Sequence, residues 1–137
     1  MKEKILEHFK KDTYAQLLGM VIEEVEDGYA RVSMQVTENM LNFHGTANGG
    51  AIFSLADVAF ACASNSDGNQ RVGITMNIHY LKAGMVNEKL IAIAKEDIKS
   101  NRLGSYRIKG RGSLVPKAEE LVAIAEGMVY RTKHRFV

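Results

Sequence analysis

The chain has 137 residues, 46% of them hydrophobic and 25% charged, enough for a single globular domain over residues 1–137 with a sizeable core. Eighteen basic and sixteen acidic residues leave a net charge of +2, and Lys and Arg are dispersed, which argues against a nucleic-acid partner. Cys62 is the lone cysteine, and His8, His44, His79 and His134 lack metal-ligand spacing, so neither a disulfide framework nor a metal site is expected. The charged start Met1-Lys-Glu-Lys and the lack of an apolar run of about 18 residues point to a cytoplasmic protein without a membrane partner.

Ile5, Leu6 and Phe9 share one face of a short N-terminal helix. Asp12 or Thr13 caps a further turn or two carrying Tyr14, Leu17 and Leu18, and the whole reads as a packing arm. After Gly19 the period changes. Ala30, Val32, Met34 and Val36 alternate with Arg31, Ser33, Gln35 and Thr37 behind a turn at Glu26-Asp27-Gly28, which predicts a strand with one buried face. Residues 42–49 form a loop by composition. From Gly50 to about Ser64 the chain is apolar on nearly every side, predicting a long helix that other elements surround. A cluster of turn residues, Ser64 to Gly68, ends it.

Period two then returns. Ile74, Met76, Ile78 and Tyr80 mark one strand, followed by a turn near Lys82-Ala-Gly and a second strand, Leu90 to Ala94, apolar on both faces. Tyr106, Ile108 and Gly110 alternate with Arg107, Lys109 and Arg111, and Val122 to Val129 complete the series after Pro116. Four or five strands without helices between the later ones predict antiparallel hairpins and an α+β architecture, with one sheet wrapped around one long helix.

Asp57 sits in the middle of that helix, between Leu55-Ala56 and Val58-Ala59. A buried carboxylate costs several kcal/mol unless it is paired or hydrogen-bonded, so either the structure neutralises Asp57 or the chemistry uses it. Gly49 and Gly50 at the start of the helix either relieve steric strain or open free N–H groups to an anion. Asp57 lies about 12 Å along the axis from Gly49, too far to act on a carbonyl held at its own helix start. Two such helices lying antiparallel across a two-fold axis would bring them together between chains, giving two composite sites per dimer.

The block from Thr37 to Gly68, "TENMLNFHGTANGGAIFSLADVAFACASNSDG", together with "MNIHYLKAG", resembles the hotdog-fold acyl-CoA thioesterases, in particular the phenylacetic-acid-degradation (PaaI-type) branch. The resemblance runs from about Leu17 to Thr132. It implies a hotdog fold, a long central helix wrapped by a curved antiparallel sheet with short N-terminal helices, assembled as a homodimer or homotetramer. It also implies hydrolysis of aryl- or short- to medium-chain acyl-CoA without a cofactor. Carried over by position, Asp57 becomes the general base or nucleophile, Gly49 the oxyanion-binding N–H, and Asn42 the group that orients water or substrate.

Two departures stand out. Where the family reads His-Gly-Gly this chain has Asn48-Gly49-Gly50, so an ionisable imidazole is replaced by an amide. His44 stands four residues earlier, either as a partial substitute or as a solvated loop residue. Where relatives often place Ser or Thr before "MNI", this chain has Gly73, with Thr75 two residues on. Substrate contacts are thus expected from Asn48, Gly50, His44 and Thr75. The missing His also motivates a non-hydrolytic acyl-CoA-binding protein as the alternative. A hotdog hydratase or dehydratase is a third reading, weakened by the lack of a His paired with Asp or Glu.

The remaining candidates are ambiguous. Cys62 has nothing near it in sequence to lower its pKa and reads as packing. Met34, Met40, Met76 and Met85 either fill the core or line an acyl tunnel. Arg71, Lys82, Arg102, Arg107 and Arg111 are either CoA phosphate contacts or solvated strand charges.

Overall fold

The computed structural model describes residues 1–113 and 119–137, so the expected break at Pro116 lies outside the described residues. Helix α1 (Lys2–Phe9) buries Ile5 and rests Leu6 and Phe9 on the core. Helix α2 (Thr13–Leu17) is capped by Asp12, whose side chain accepts a hydrogen bond from the Ala15 amide at 2.9 Å. Thr13 is already helical, so only Asp12 can reach that third orphan N–H. The arm packs through Ala15 and Leu18, whereas Tyr14 and Leu17 remain exposed, contrary to the expectation that they pack.

Six strands follow: β1 (Val21–Glu26), β2 (Tyr29–Gln35), β3 (Asn69–Tyr80), β4 (Lys89–Lys99), β5 (Leu103–Ser113) and β6 (Glu120–Arg135). They form one antiparallel sheet in the order β1-β2-β4-β5-β6-β3. Four or five strands were expected, and β1 is the addition. Its apolar residues Ile22 and Val25 are three apart, which spoils the period-two signal, and a register shift between Ile22 and Glu24 restores the pairing. Gly28 makes the β1–β2 turn possible, with φ +70° and a Glu96 carbon only 3.0 Å from where a side chain would begin.

Between β2 and β3 runs helix α3 (Gly49–Ser64), packed chiefly on β2, β4 and β5. Ile52, Leu55 and Ala56 are buried facing Leu90, Ala92, Ile108 and Val122 from the sheet. The void left between the layers is about 10 Å³, close to the smallest that holds one water. Met34 and Met40 belong to this core, with exposures of 1% and 7%, and fill it rather than lining a tunnel. Phe60 fixes the far end of the layer. Its ring meets Tyr106 edge-on at 5.8 Å and occupies the space beside Gly73 and Gly127. Gly73 therefore has a packing reason to be glycine, since a Cβ there would lie 3.2 Å from that ring.

The helix is not surrounded on every side, as its composition had suggested. Gly50, Asp57 and Ala61 are exposed and Ser54 is half-buried, a stripe at helical spacing along the side away from the sheet. Small residues and one acid make up this stripe, so composition alone cannot distinguish it from a buried face. Asp57 accordingly opens to solvent within the chain and is not sealed in the core.

Candidate functional site

The approach to α3 is built by local hydrogen bonds. Asn42 Oδ1 accepts from the His44 amide at 2.9 Å and the Thr46 amide at 3.2 Å, while its Nδ2 donates to Thr46 Oγ1 at 3.1 Å. The Asn42 amide donates to the Thr46 carbonyl at 2.8 Å, closing the loop around Gly45 with φ +79°. Beyond it the Ala47 amide is bound to the Gly84 carbonyl and the Asn48 amide to the Met40 carbonyl, so the chain enters the helix from a tethered position. Asn42 thus has a structural duty that its spacing did not reveal: it shapes the loop.

Asn48 is the N-cap. Its Oδ1 accepts from the Gly50 amide at 2.7 Å, and its carbonyl accepts from Ala51 at 2.9 Å and Ile52 at 3.2 Å. Of the first four N–H groups of α3, only that of Gly49 has no acceptor among the described residues. The cap therefore does more than hold the helix end, because it leaves a single directed donor at the positive pole of a sixteen-residue helix. Gly50, whose N–H is spent on the cap, is not a second free donor.

A surface cleft of about 330 Å³ opens beside that donor, lined by Asn42, Gly49, Ile52, Tyr80, Leu81 and Lys82 among others. Tyr80 was read only as a strand residue. Its hydroxyl donates to the Gly49 carbonyl at 3.1 Å and its ring stands 3.4 Å from the position of a Gly49 Cβ. The two are 31 positions apart, so no local pattern signals the contact. Lys82 is ion-paired with Glu120, which compensates its charge at the rim.

Asp57 does not line this cleft. It lies on the exposed stripe near the N-cap of α2, with its pKa raised by partial burial and by the Asp12 carboxylate. Nearby, Ser54 Oγ donates to the Gly50 carbonyl at 2.7 Å and is 3.1 Å from the Tyr14 hydroxyl. Cys62 is buried, its thiol pushed up to about 12 by burial and by Asp12, so it is inert as a nucleophile at neutral pH.

The other expected contacts are scattered. His44 is exposed at the loop tip, edge-on to the Phe43 ring at 4.4 Å. Thr75 is exposed on β3, beside a register shift between Gly73 and Thr75, and lines a separate cleft with Asn77, Asp97 and Arg107. One chain therefore unites Asn42, Asn48, Gly49 and Gly50, and binds the His44 amide to Asn42, but leaves the His44 ring on Phe43 and Thr75 and Asp57 outside the cleft. Among the described residues no group of acidic, His and Cys side chains has the clustering that a metal ion needs.

Several apolar groups are exposed on the chain. Phe43 is 94% exposed, and Val72 and Ile74 on β3 are 45% and 51% exposed. β3 is an edge strand, paired with β6 on one side only.

The chain is similar to several known proteins. The family model of the thioesterase superfamily matches residues 44–111. A putative esterase of Archaeoglobus fulgidus is 41% identical over 137 residues, covering 99% of this chain and 86% of that protein. The acyl-coenzyme A thioesterase PaaI of Escherichia coli is 36% identical over 123 residues, covering 90% and 85%. The solved structure of E. coli PaaI superposes with a TM-score of 0.91 at 31% identity, covering 99% of both chains. A Streptococcus mutans protein solved with bound acetyl-CoA gives a TM-score of 0.78 at 26% identity, covering 85% of this chain and 90% of that one.

Proposed function

The chain belongs to the thioesterase superfamily as a PaaI-type hotdog thioester hydrolase, and from that premise we propose that it cleaves acyl-CoA at composite sites between two protomers. The observation that carries this reading is the unpaired Gly49 N–H at the tip of a capped helix, with Asp57 on the open stripe of the same helix. Each supplies what the other lacks. A thioester carbonyl seated at Gly49 finds a donor and a helix dipole for its developing oxyanion, but no carboxylate or imidazole among the described residues that line the cleft. A second copy across a two-fold axis brings Asp57 to that carbonyl.

The surface supports such pairing. Phe43, Val72 and Ile74 are apolar and exposed, and β3 offers unpaired backbone groups along the sheet edge. The substrates are aryl- or short- to medium-chain acyl-CoA, in line with the relatives named for esterase and acyl-CoA thioesterase activity.

In the reaction, Asp57 takes a proton from water as its oxygen attacks the carbonyl, or attacks the carbonyl itself. The tetrahedral oxyanion is held by the Gly49 N–H, and its collapse breaks the C–S bond; CoA leaves as the thiol with the proton that Asp57 took from water, or, on the nucleophilic route, water then hydrolyses the acyl-Asp57 anhydride to the free acid and supplies that proton. Asn48 adds no proton transfer, since an amide does not ionise; its part is to keep the Gly50 amide occupied and the Gly49 amide free. Asn42 acts through the loop it closes, and Tyr80 holds the Gly49 carbonyl.

Asp57→Asn tests the reading with phenylacetyl-, hydroxyphenylacetyl-, benzoyl- and C4 to C12 acyl-CoA, followed by release of the free thiol. Turnover is expected to vanish while assembly size and circular dichroism stay unchanged. Hydrolysis at the parental rate removes Asp57 from the chemistry.

A further inference from the structure

One buried acid takes no part in the mechanism. Glu88, in the turn before β4, is 9% exposed and is the only carboxyl side chain buried among the described residues. Burying such a group costs free energy unless hydrogen bonds replace its water. The carboxyl group of Glu88 is seated against main chain. Its Oε1 accepts from the Met85 amide at 2.9 Å, and the Glu88 amide donates back to the Met85 carbonyl at 3.0 Å, the reciprocal pairing of a capping box. Gly112 on β5 makes room for it, since a Cβ there would lie 2.7 Å from Glu88 Cδ.

The Met85 amide and the Gly84 carbonyl belong to one peptide group, and that carbonyl accepts from the Ala47 amide at 2.8 Å. Glu88 therefore grips one side of a peptide whose other side grips the residue before the N-cap Asn48. Gly84 permits the approach, because a Cβ on it would fall 3.0 Å from that of Ala47. The series continues. The Ala47 amide shares its peptide with the Thr46 carbonyl, which accepts from the Asn42 amide at 2.8 Å. Hydrogen bonds linked through peptide groups polarise and strengthen one another, and this series runs from a buried carboxyl group into the loop that leads to Gly49.

The two ends of the β3–β4 connection are held without the Glu88 side chain. The Leu81 and Lys82 amides donate to the Val122 carbonyl, the Asn87 amide donates to the Val36 carbonyl, and the Val36 amide donates to the Glu88 carbonyl. Leu81 and Lys82 line the cleft beside Gly49, so that wall is anchored separately from the Ala47 tether. We propose that Glu88 is a positioning residue for the hydrolysis: through the Gly84–Met85 peptide it fixes the approach to α3 and with it the direction of the Gly49 N–H. The proposal rests on the reading of Gly49 as the oxyanion donor. A donor aimed at the oxyanion acts on the transition state and not on the bound thioester, so loosening it lowers kcat and leaves KM in place.

The test compares Glu88→Met, which keeps the length of the side chain without its oxygens, with Glu88→Gln, which keeps an oxygen acceptor for the Met85 amide. The expected result is a kcat for acyl-CoA lowered roughly ten- to a hundredfold in Glu88→Met at the parental KM, and restored to within about twofold of the parent in Glu88→Gln. Hydrogen exchange of the Ala47 amide, followed by NMR, is expected to be several-fold faster in Glu88→Met and parental in Glu88→Gln. A parental kcat in folded Glu88→Met, or an equal loss in both variants, overturns the proposal and leaves the hydrolytic reading intact. Should Glu88→Met fail to fold, Gly112→Ala, whose methyl group displaces the carboxyl group, takes its place: a lowered kcat supports the proposal and a parental one overturns it. If the parent cleaves no thioester, the hydrolytic reading fails by itself, and Ala47 exchange decides the tether: faster in Glu88→Met alone supports it, while equal rates in parent and both variants overturn it.

Discussion

Asn48→Asp separates the two duties of the helix cap. The substitution is nearly isosteric, and a carboxylate oxygen can take over the 2.7 Å bond from the Gly50 amide. A negative charge at the N-terminus of α3 should raise stability by about 0.3–1 kcal/mol. Catalysis should move the other way. An oxyanion held at about 2.9 Å from the Gly49 amide would sit on the order of 5 Å from the new carboxylate, whose repulsion at an effective dielectric constant of about 20 is roughly 3 kcal/mol. That is a loss of about a hundredfold in kcat. Rates should be taken on the alkaline plateau, where any upward shift of Asp57 no longer matters, with thermal melting followed in parallel and Asn48→Ser as the neutral cap control. A variant that melts higher and turns over at the parental rate would show that no negative charge develops at this helix end.

Activity should fall on acidification through an Asp57 pKa above its ordinary 3.8, because burial and the Asp12 carboxylate both raise it. Asp12→Asn keeps the α2 cap while removing that charge, and should move the acidic limb of the kcat/KM profile downward; His8, Lys11, Cys62 and Arg71, which line the cleft with Asp12, are left in place. A raised folded-state pKa favours the protonated form, so the associated stability is full at acid pH and lost as pH rises through that value. Asp57→Asn should therefore melt higher than the parent at neutral pH and no higher below the ordinary carboxylate range. Gly127→Ala places a methyl group 2.8 Å from Phe60 Cζ, and should cost about 1–3 kcal/mol, read as a lower urea midpoint.

Local patterns reveal the skeleton of this fold. The helix expected from Gly50 begins at Gly49, and the alternation of Ala30, Val32 and Met34 describes the buried face of β2. β1 escaped detection because its register shift hides inside a run of glutamates. The site was less legible. Glycines and an acid in a helix suggest a donor and a base, but the sequence does not show which amide the cap consumes, and Gly50 proved to be the one. Tyr80 reaches Gly49 through sheet topology, which has no local signature. Asp57 is flanked in sequence by the buried Leu55, Ala56, Val58 and Ala59, yet its own side of the helix, shared with Gly50, Ser54 and Ala61, is an open stripe that composition does not reveal. Its assigned role, like that of Asn42, came from family resemblance rather than from spacing.

The claim that the site is shared between protomers has a direct test in mixed dimers. Asp57→Ala removes the acid, and Gly49→Val crowds the amide. Each variant alone should be inactive, but co-expressed in equal amounts half the dimers should be mixed, each with one intact site, restoring about a quarter of parental activity. No recovery from mixed dimers verified by mass would contradict a shared site and place the chemistry within one chain.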